Sequence, residues 1–220
     1  MDDTLGAQVL AHLRAQLITG MLAPGDKLSL RTLALQQGVS MQPVRDAVAR
    51  LVAERALEVT PKRAVQVPLM SLPQFRELTA IRMCVEGLAA EHAAHRRGGS
   101  ERAALRRHEA KFRRESTRRA PDVDAAIVAN ANLHFALYRA AAMPALVAII
   151  EGLWLRIGPV LNLDLRDGEN RLRSGVAAHC HAQLLAAIEH GDAGAARQAL
   201  QEDIGSTAAF IEARGVLPRD

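Results

Sequence analysis

The stretch Gly38–Leu51, GVSMQPVRDAVARL, leaves the backbone few choices. Ser29 can cap a short helix over Leu30–Gln37, Gly38 can end it in the left-handed conformation that glycine adopts at least cost, and Ser40 can cap a second helix with Pro43 in its first turn. Leu33, Ala34, Val39, Val44, Val48 and Leu51 fall at the spacing that buries one helix face against the other. Gln42, Arg45, Asp46 and Arg50 keep the opposite face polar. Downstream, Leu57–Thr60 and Ala64–Val67 alternate apolar and polar around Pro61, Lys62 and Arg63, which predicts a small hairpin with a basic tip. The order helix, tight turn, helix, hairpin is that of a winged helix-turn-helix. A helix of this kind suits the DNA major groove, where Arg45 could fork onto guanine and Gln42 could pair with adenine.

Around this nucleus the remaining elements follow. Leu5, Val9, Leu13, Leu17 and Ile18 repeat at helical spacing before Gly20, a supporting first helix, and Lys27-Leu28 reads as a short extended piece. Pro68 and Pro73 bracket a linker. We therefore expect a DNA-binding unit over residues 1–68, a linker over 69–73 and a second unit over 74–213. The second unit reads as about six helices: Pro73–Arg97, Ser100–Arg119, Asp122–Ala142, Pro144–Leu163, Glu169–His190 and Asp192–Ala213, with a kink or break at Gly158-Pro159. The expected fold class is mainly α, a winged helix-turn-helix with a small β wing followed by an all-α bundle.

Composition sets limits. Aromatics make up 3% of the chain, and no run reaches the roughly 20 apolar residues that span a membrane. Asp2 and Asp3 stand where a secretion signal would be basic, so a cytoplasmic location is expected. Cys84 and Cys180 each fall inside a helical stretch and are expected to be buried, reduced thiols. The net charge of +4 permits a polyanionic partner without requiring one. From Arg96 to Arg119, ten Arg or Lys residues face Glu101, Glu109 and Glu115, a surplus of seven. A solvated helix face is the simpler account of that run, and a secondary phosphate contact or an acidic partner the functional one.

Ligand-capable side chains stand on otherwise apolar faces of the second unit. His134 shares a face with Ile127, Leu137, Tyr138 and Ala141, and Asn130 lies one turn before it. His181 goes with Leu184, Leu185 and Ile188, and Asp203 with Ala196, Ala199 and Leu200. A buried carboxylate is costly unless paired, hydrogen-bonded or metal-bound. Two imidazoles with carboxylate and amide oxygens would suit Zn²⁺, Ni²⁺ or Mn²⁺; a satisfied core His, or an Asp paired with Arg, is the plainer alternative at each position.

Two resemblances sharpen these readings. Leu17–Leu28 with Pro24-Gly25-Asp26, then Leu33-Ala34, Gly38-Val39-Ser40 and Pro43-Val44-Arg45-Asp46-Ala47, resemble the DNA-binding domain of the GntR family of bacterial transcription regulators. The resemblance implies DNA contacts by Arg31, Ser40, Met41, Gln42, Arg45 and, in the wing, Arg63. Met41 stands where the family commonly has arginine, and Ala64 where the wing usually has glycine. Asn130-x-x-x-His134, then His181 through Ile188 to Gly191-Asp192, and Asp203-Ile204 are similar to the ligand-binding FCD bundle of the FadR branch. It implies a metal set of Asn130, His134, His181 and Asp203, with Asn130 in place of the commoner Asp and Asp203 in place of a last His. It also implies that Arg82 faces the cavity, where it could hold a carboxylate, unless it forms a surface pair with Glu86; Asn162, Arg156 and Tyr138 are further lining candidates.

The implied protein is a homodimeric regulator of a palindromic DNA operator, responsive to a small carboxylate-type effector, with repression relieved by the ligand. The alternatives are a metal-dependent helical enzyme carrying an accessory DNA-binding domain and a structural DNA-binding protein without effector. No general base beside the metal residues and no Gly-x-Ser-x-Gly nucleophile motif favours the enzyme.

Overall fold

The computed structural model describes residues 5–96, 98–163 and 170–219, so the expected boundaries at Arg97, Asp167-Gly168 and Glu169 lie outside the described residues. The chain is mainly α and divides into two units, one of Met1–Met70 with Trp154–Val160, the other of Ser71–Leu153 with Leu161–Asp220.

In the first unit, α1 (Leu5–Ile18), α2 (Leu30–Gln37) and α3 (Met41–Ala53) pack beside a small antiparallel sheet of β1 (Lys27–Leu28), β2 (Glu58–Val59) and β3 (Val65–Gln66), ordered β1-β3-β2. The short piece at Lys27-Leu28 thus extends the wing hairpin to a third strand. Ser29 accepts from the Thr32 amide as the cap of α2, and Gly38 closes it at φ 63°. Val9, Leu13, Leu17, Val44, Val48, Leu51, Leu57 and Leu155 fill one core. Each such side chain contributes about 1.5–3 kcal/mol by leaving water. Arg14 forks onto Glu54 at 2.6 and 2.8 Å, fixing the start of the chain to the end of the recognition helix.

The second unit contains α4 (Leu72–Arg96), α5 (Gly99–Thr117), α6 (Val123–Ala140), the first part of α7 (Pro144–Leu161), α8 (Asn170–Arg173), α9 (Val176–His190) and α10 (Ala193–Ala213). Ser71 and Gln74 cap α4 reciprocally, and Asp122 and Asp192 cap α6 and α10. Helix α4 packs chiefly on α10, α9 on α10, and α5 on α6.

Three expectations are corrected. Helix α7 runs through Gly158-Pro159 unbroken: the proline lies two residues before the helix end, and a Cβ on Gly158 would come within 2.5 Å of the Leu17 carbonyl oxygen, so glycine is required there by packing. The single helix expected up to His190 is divided, because Gly175 takes φ 74° between α8 and α9. Cys84 is exposed rather than buried, since α4 turns Arg82 and Glu86 inward instead; Cys180 is buried, and burial first, then Asp203 and Glu202, push its thiol up to about 11. Helix α7 is long and apolar enough to cross a membrane by length and composition alone, and 56% of it is buried within the protein.

Gly38 has a left-handed φ and nothing within 4 Å of the position a Cβ would take. Gly38→Ala is therefore a test of conformation alone, expected to cost about 1 kcal/mol in urea unfolding of the first unit.

Candidate functional site

On the recognition helix, Gln42, Arg45 and Asp46 are exposed, and Gln42 Nε2 donates to Asp46 Oδ1 at 2.8 Å. That bond uses one of the two amide N–H groups of Gln42 and leaves its oxygen and the other N–H for further partners. Ser40 has cap geometry but no side-chain capping bond, which leaves its hydroxyl for another partner. Met41 is half-buried against the core of the first unit, an apolar role that an arginine there would not play. Arg31 and Arg63 are exposed. Arg63 sits at the wing tip with φ 58°, a left-handed backbone that only glycine adopts cheaply, while Ala64 closes the hairpin by donating its amide to Thr60 Oγ1 at 3.1 Å. The left-handed residue of the wing is thus Arg63 rather than its neighbour.

In the second unit, α6, α9 and α10 bring three of the four expected metal residues together. His134, His181 and Asp203 are buried, and one ligand atom from each lies within 4.8 Å of the others. His134 Nε2 stands 3.3 Å from Asp203 Oδ2, and His181 Nε2 3.7 Å from Asp203 Oδ1. Phe112 meets the His181 ring edge-on at 4.8 Å. Asn130 is half-buried one turn before His134, and His179, two residues before His181, is exposed.

Behind His134 runs a buried relay. Arg82 Nε donates to Glu86 Oε1 at 2.6 Å, and both side chains are buried. Tyr138 donates its hydroxyl proton to Glu86 Oε2, and His134 Nδ1 lies 3.0 Å from the Tyr138 oxygen. A hydroxyl has one proton, so Tyr138 can only accept from His134, and Nδ1–H is the donor. The other nitrogen, Nε2, therefore turns toward Asp203. Two lone-pair atoms so placed repel unless a proton or a cation lies between them.

Asp203 titrates accordingly. Burial alone would raise its pKa, but the close approach of the His181 and His134 rings outweighs burial and holds the carboxyl well below its usual range. Since folding lowers this pKa, the contribution is complete above about pH 4 and is lost as pH falls further. Both ring nitrogens of His181 and Asp203 Oδ1 are buried without a hydrogen-bond partner. Unmet polar atoms of this kind cost about 1–3 kcal/mol each. Two imidazoles and a carboxylate with spare lone pairs are a donor set that suits a divalent cation: atoms each about 2.0–2.2 Å from one ion stand about 3–3.5 Å apart, which the His134–Asp203 pair matches at 3.3 Å, while the three-atom set spreads to 4.8 Å and would have to draw in around an ion.

Glu86 is the residue the sequence reading underestimated. The sequence suggests no more for it than a surface pair with Arg82, yet it is fully buried and receives both Arg82 and Tyr138. Its position among Ala89, Ala90, Ala93 and Ala94 on α4 was the available signal. Tyr138 and Asn162 are buried in this unit, while Arg156 belongs to the segment that packs with the winged unit.

A three-helix unit with a wing, joined to a helical bundle with a buried polar centre, defines the class of DNA-binding regulators. Residues 5–67 match the bacterial regulatory proteins of the gntR family, and residues 77–206 match the FCD domain. The HTH-type transcriptional regulator McbR of Escherichia coli K12 is 32% identical over 94% of this chain and 93% of its own. Its solved structure superposes with a TM-score of 0.88, covering 96% of this chain and 99% of that one. A putative transcriptional regulator GntR from Rhodococcus sp. RHA1, 23% identical over 94% and 97% of the two chains, shares the fold with a TM-score of 0.74. The E. coli repressor RspR is 32% identical over 40% of this chain and 38% of its own. The chain belongs to the GntR family of transcription regulators, in its FCD-domain branch. It is a DNA-binding transcription regulator, and its relatives are regulators rather than enzymes.

Arg82→Met should cost about 3–5 kcal/mol, because it strands the Glu86 charge in the interior, and the double replacement of Arg82 and Glu86 by Met should recover most of that loss. Chemical denaturation of the two variants checks the order.

Proposed function

We propose that this regulator is a homodimeric repressor in the cytoplasm that releases a palindromic operator when a small carboxylate-type effector binds its helical unit through a divalent metal. Residues 1–68 read the DNA, 69–73 join the units and 74–213 sense the effector and dimerise. The observation that carries the reading is the convergence of His134, His181 and Asp203, all buried, with both His181 ring nitrogens and Asp203 Oδ1 lacking a hydrogen-bond partner. With Asn130 as a fourth donor they would hold Zn²⁺, Ni²⁺ or Mn²⁺, which when bound supplies a Lewis-acidic coordination position for an oxygen of the effector. Tyr138 and Glu86 fix the His134 ring, so that Nε2 is the nitrogen available for coordination. Arg82, Asn162 and Tyr138 line the effector position. The partial match to the repressor RspR supports repression.

On the DNA side, Arg45 and Gln42 read base edges, Ser40 and Met41 contact the groove beside them, and Arg31 and Arg63 hold the backbone and wing. One recognition helix reads few bases, so a two-fold dimer on two half-sites supplies the affinity. Effector binding changes the free-energy balance between operator-bound and free arrangements.

Arg45→Ala should weaken binding to a selected operator duplex by about 5- to 150-fold and relax preference at one base pair, the loss of one bidentate contact of about 1–3 kcal/mol. Unchanged specificity would reassign the reading residue. For the metal, chelator-stripped protein is melted during titration with Zn²⁺, Ni²⁺ and Mn²⁺; a saturable gain of about 2.7 kcal/mol at a hundredfold excess over Kd, absent in His134→Ala, is the expected result. No gain with any of the three ions overturns the metal.

A further inference from the structure

Helix α5 carries more positive charge than its own fold uses. Its acids are turned to other work: Glu109 is buried with Arg113 at 3.1 Å, and Glu115, also buried, takes Arg114, Arg118 and the Asp122 amide, fastening the turn into α6. Arg106 is taken by Glu189 of α9 at 2.6 Å. Arg107, Lys111, Arg114 and Arg118 fall at i, i+4, i+7 and i+11, one exposed side of the helix. Arg107 and Lys111 have no acidic partner among the described residues, nor has Arg139, exposed on the adjoining α6. The half-buried His108 registers their convergence: after burial itself, Arg107, Lys111 and Arg139 are what lower its pKa.

Like charges one helical turn apart oppose folding, and while Glu115 offsets Arg114 and Arg118, no carboxylate among the described residues pairs with Arg107, Lys111 or Arg139. The stripe from Arg107 to Arg118 is about 16 Å long, the height of about five base pairs at ~3.4 Å each. We propose that this stripe, completed by Arg139, is a second DNA-contacting surface that holds phosphates outside the base-reading contacts of the winged unit. DNA is the polyanion this regulator already binds, and a row of exposed guanidinium and ammonium groups suits phosphate rather than base edges.

The test uses full-length protein and a random-sequence DNA duplex, with affinity followed across a salt series. Each phosphate contact contributes about 0.9 to the slope of log K against log salt, so R107Q/K111Q/R139Q should lower the slope by up to about 2.7. Between about 50 and about 200 mM salt, wild type should then lose on the order of forty-fold more affinity than the variant. The Arg45→Ala protein is the contrast: it should change base preference, whereas the triple variant leaves the ratio of operator to random-sequence affinity unchanged. R139Q alone, with an expected fall of about 0.9, carries the test should the triple variant not fold. A slope equal to wild type overturns the proposal, and so does loss of binding to polyglutamate with the DNA slope intact, which would assign the stripe to an acidic protein instead.

Discussion

The second unit depends on how one buried glutamate is satisfied. Glu86 enters the interior of α4 with no access to water, and Arg82 one turn earlier neutralises it. Its second oxygen then takes the Tyr138 proton, which obliges Tyr138 to accept from His134 and turns His134 Nε2 toward Asp203 on α10. Each step fixes the next because a hydroxyl has one proton and a neutral imidazole one N–H. The relay specifies tautomer and ring orientation at the candidate metal centre and ties α4, α6 and α10 into one arrangement. A purely apolar core would fill the same space without directing any lone pair, so the ion pair supplies orientation, whatever its net stability.

Much of the first unit was legible because its determinants are local. A cap, a glycine with positive φ and an apolar spacing all act within a few residues, and Ser29, Gly38, Val44 and Leu51 behave as their types require. The inward direction of His134, His181 and Asp203 was legible for a similar reason: helical spacing says which neighbours share a face. What spacing cannot say is which inward residues from different helices meet. The Glu86–Tyr138 bond joins residues 52 apart in sequence, and nothing local in either announces the other. The inward turn of Glu109 and Glu115 is not legible in a run that reads as a solvated helix face, because only the packed fold shows that one of them fastens the α5–α6 turn. The division at Gly175 has a local signal in the turn dipeptide Ser174-Gly175, and the left-handed backbone there shows that the signal prevails over the helical spacing on either side.

Strain and commitment are distributed unevenly between the two faces of the winged unit. Its buried face has ordinary helices and complete packing, whereas its outer face holds Arg63 in a left-handed conformation at the wing tip and the Gln42 amide against Asp46. Arginine gains nothing locally from positive φ, so the conformation is maintained by the hairpin hydrogen bonds of Thr60 and Ala64. The Gln42–Asp46 bond works in the same direction. It restricts the amide on an exposed helix face, and under the proposed reading of base edges by Gln42 such restriction would lower the entropy lost on binding.

The charge balance of the buried centre narrows what an effector can be. Arg82 and Glu86 cancel, leaving Asp203 as the uncompensated charge among these residues when both imidazoles are neutral. A divalent cation on that set would leave one net positive charge in a low-dielectric interior, and an anionic oxygen ligand would remove it. The guanidinium of Arg82, already committed to Glu86, would add little net attraction for a second carboxylate. The physical expectation is that affinity for an acid follows the metal more closely than the arginine. Arg82 then acts mainly through Glu86 and Tyr138, by holding the His134 ring in the orientation that coordination needs.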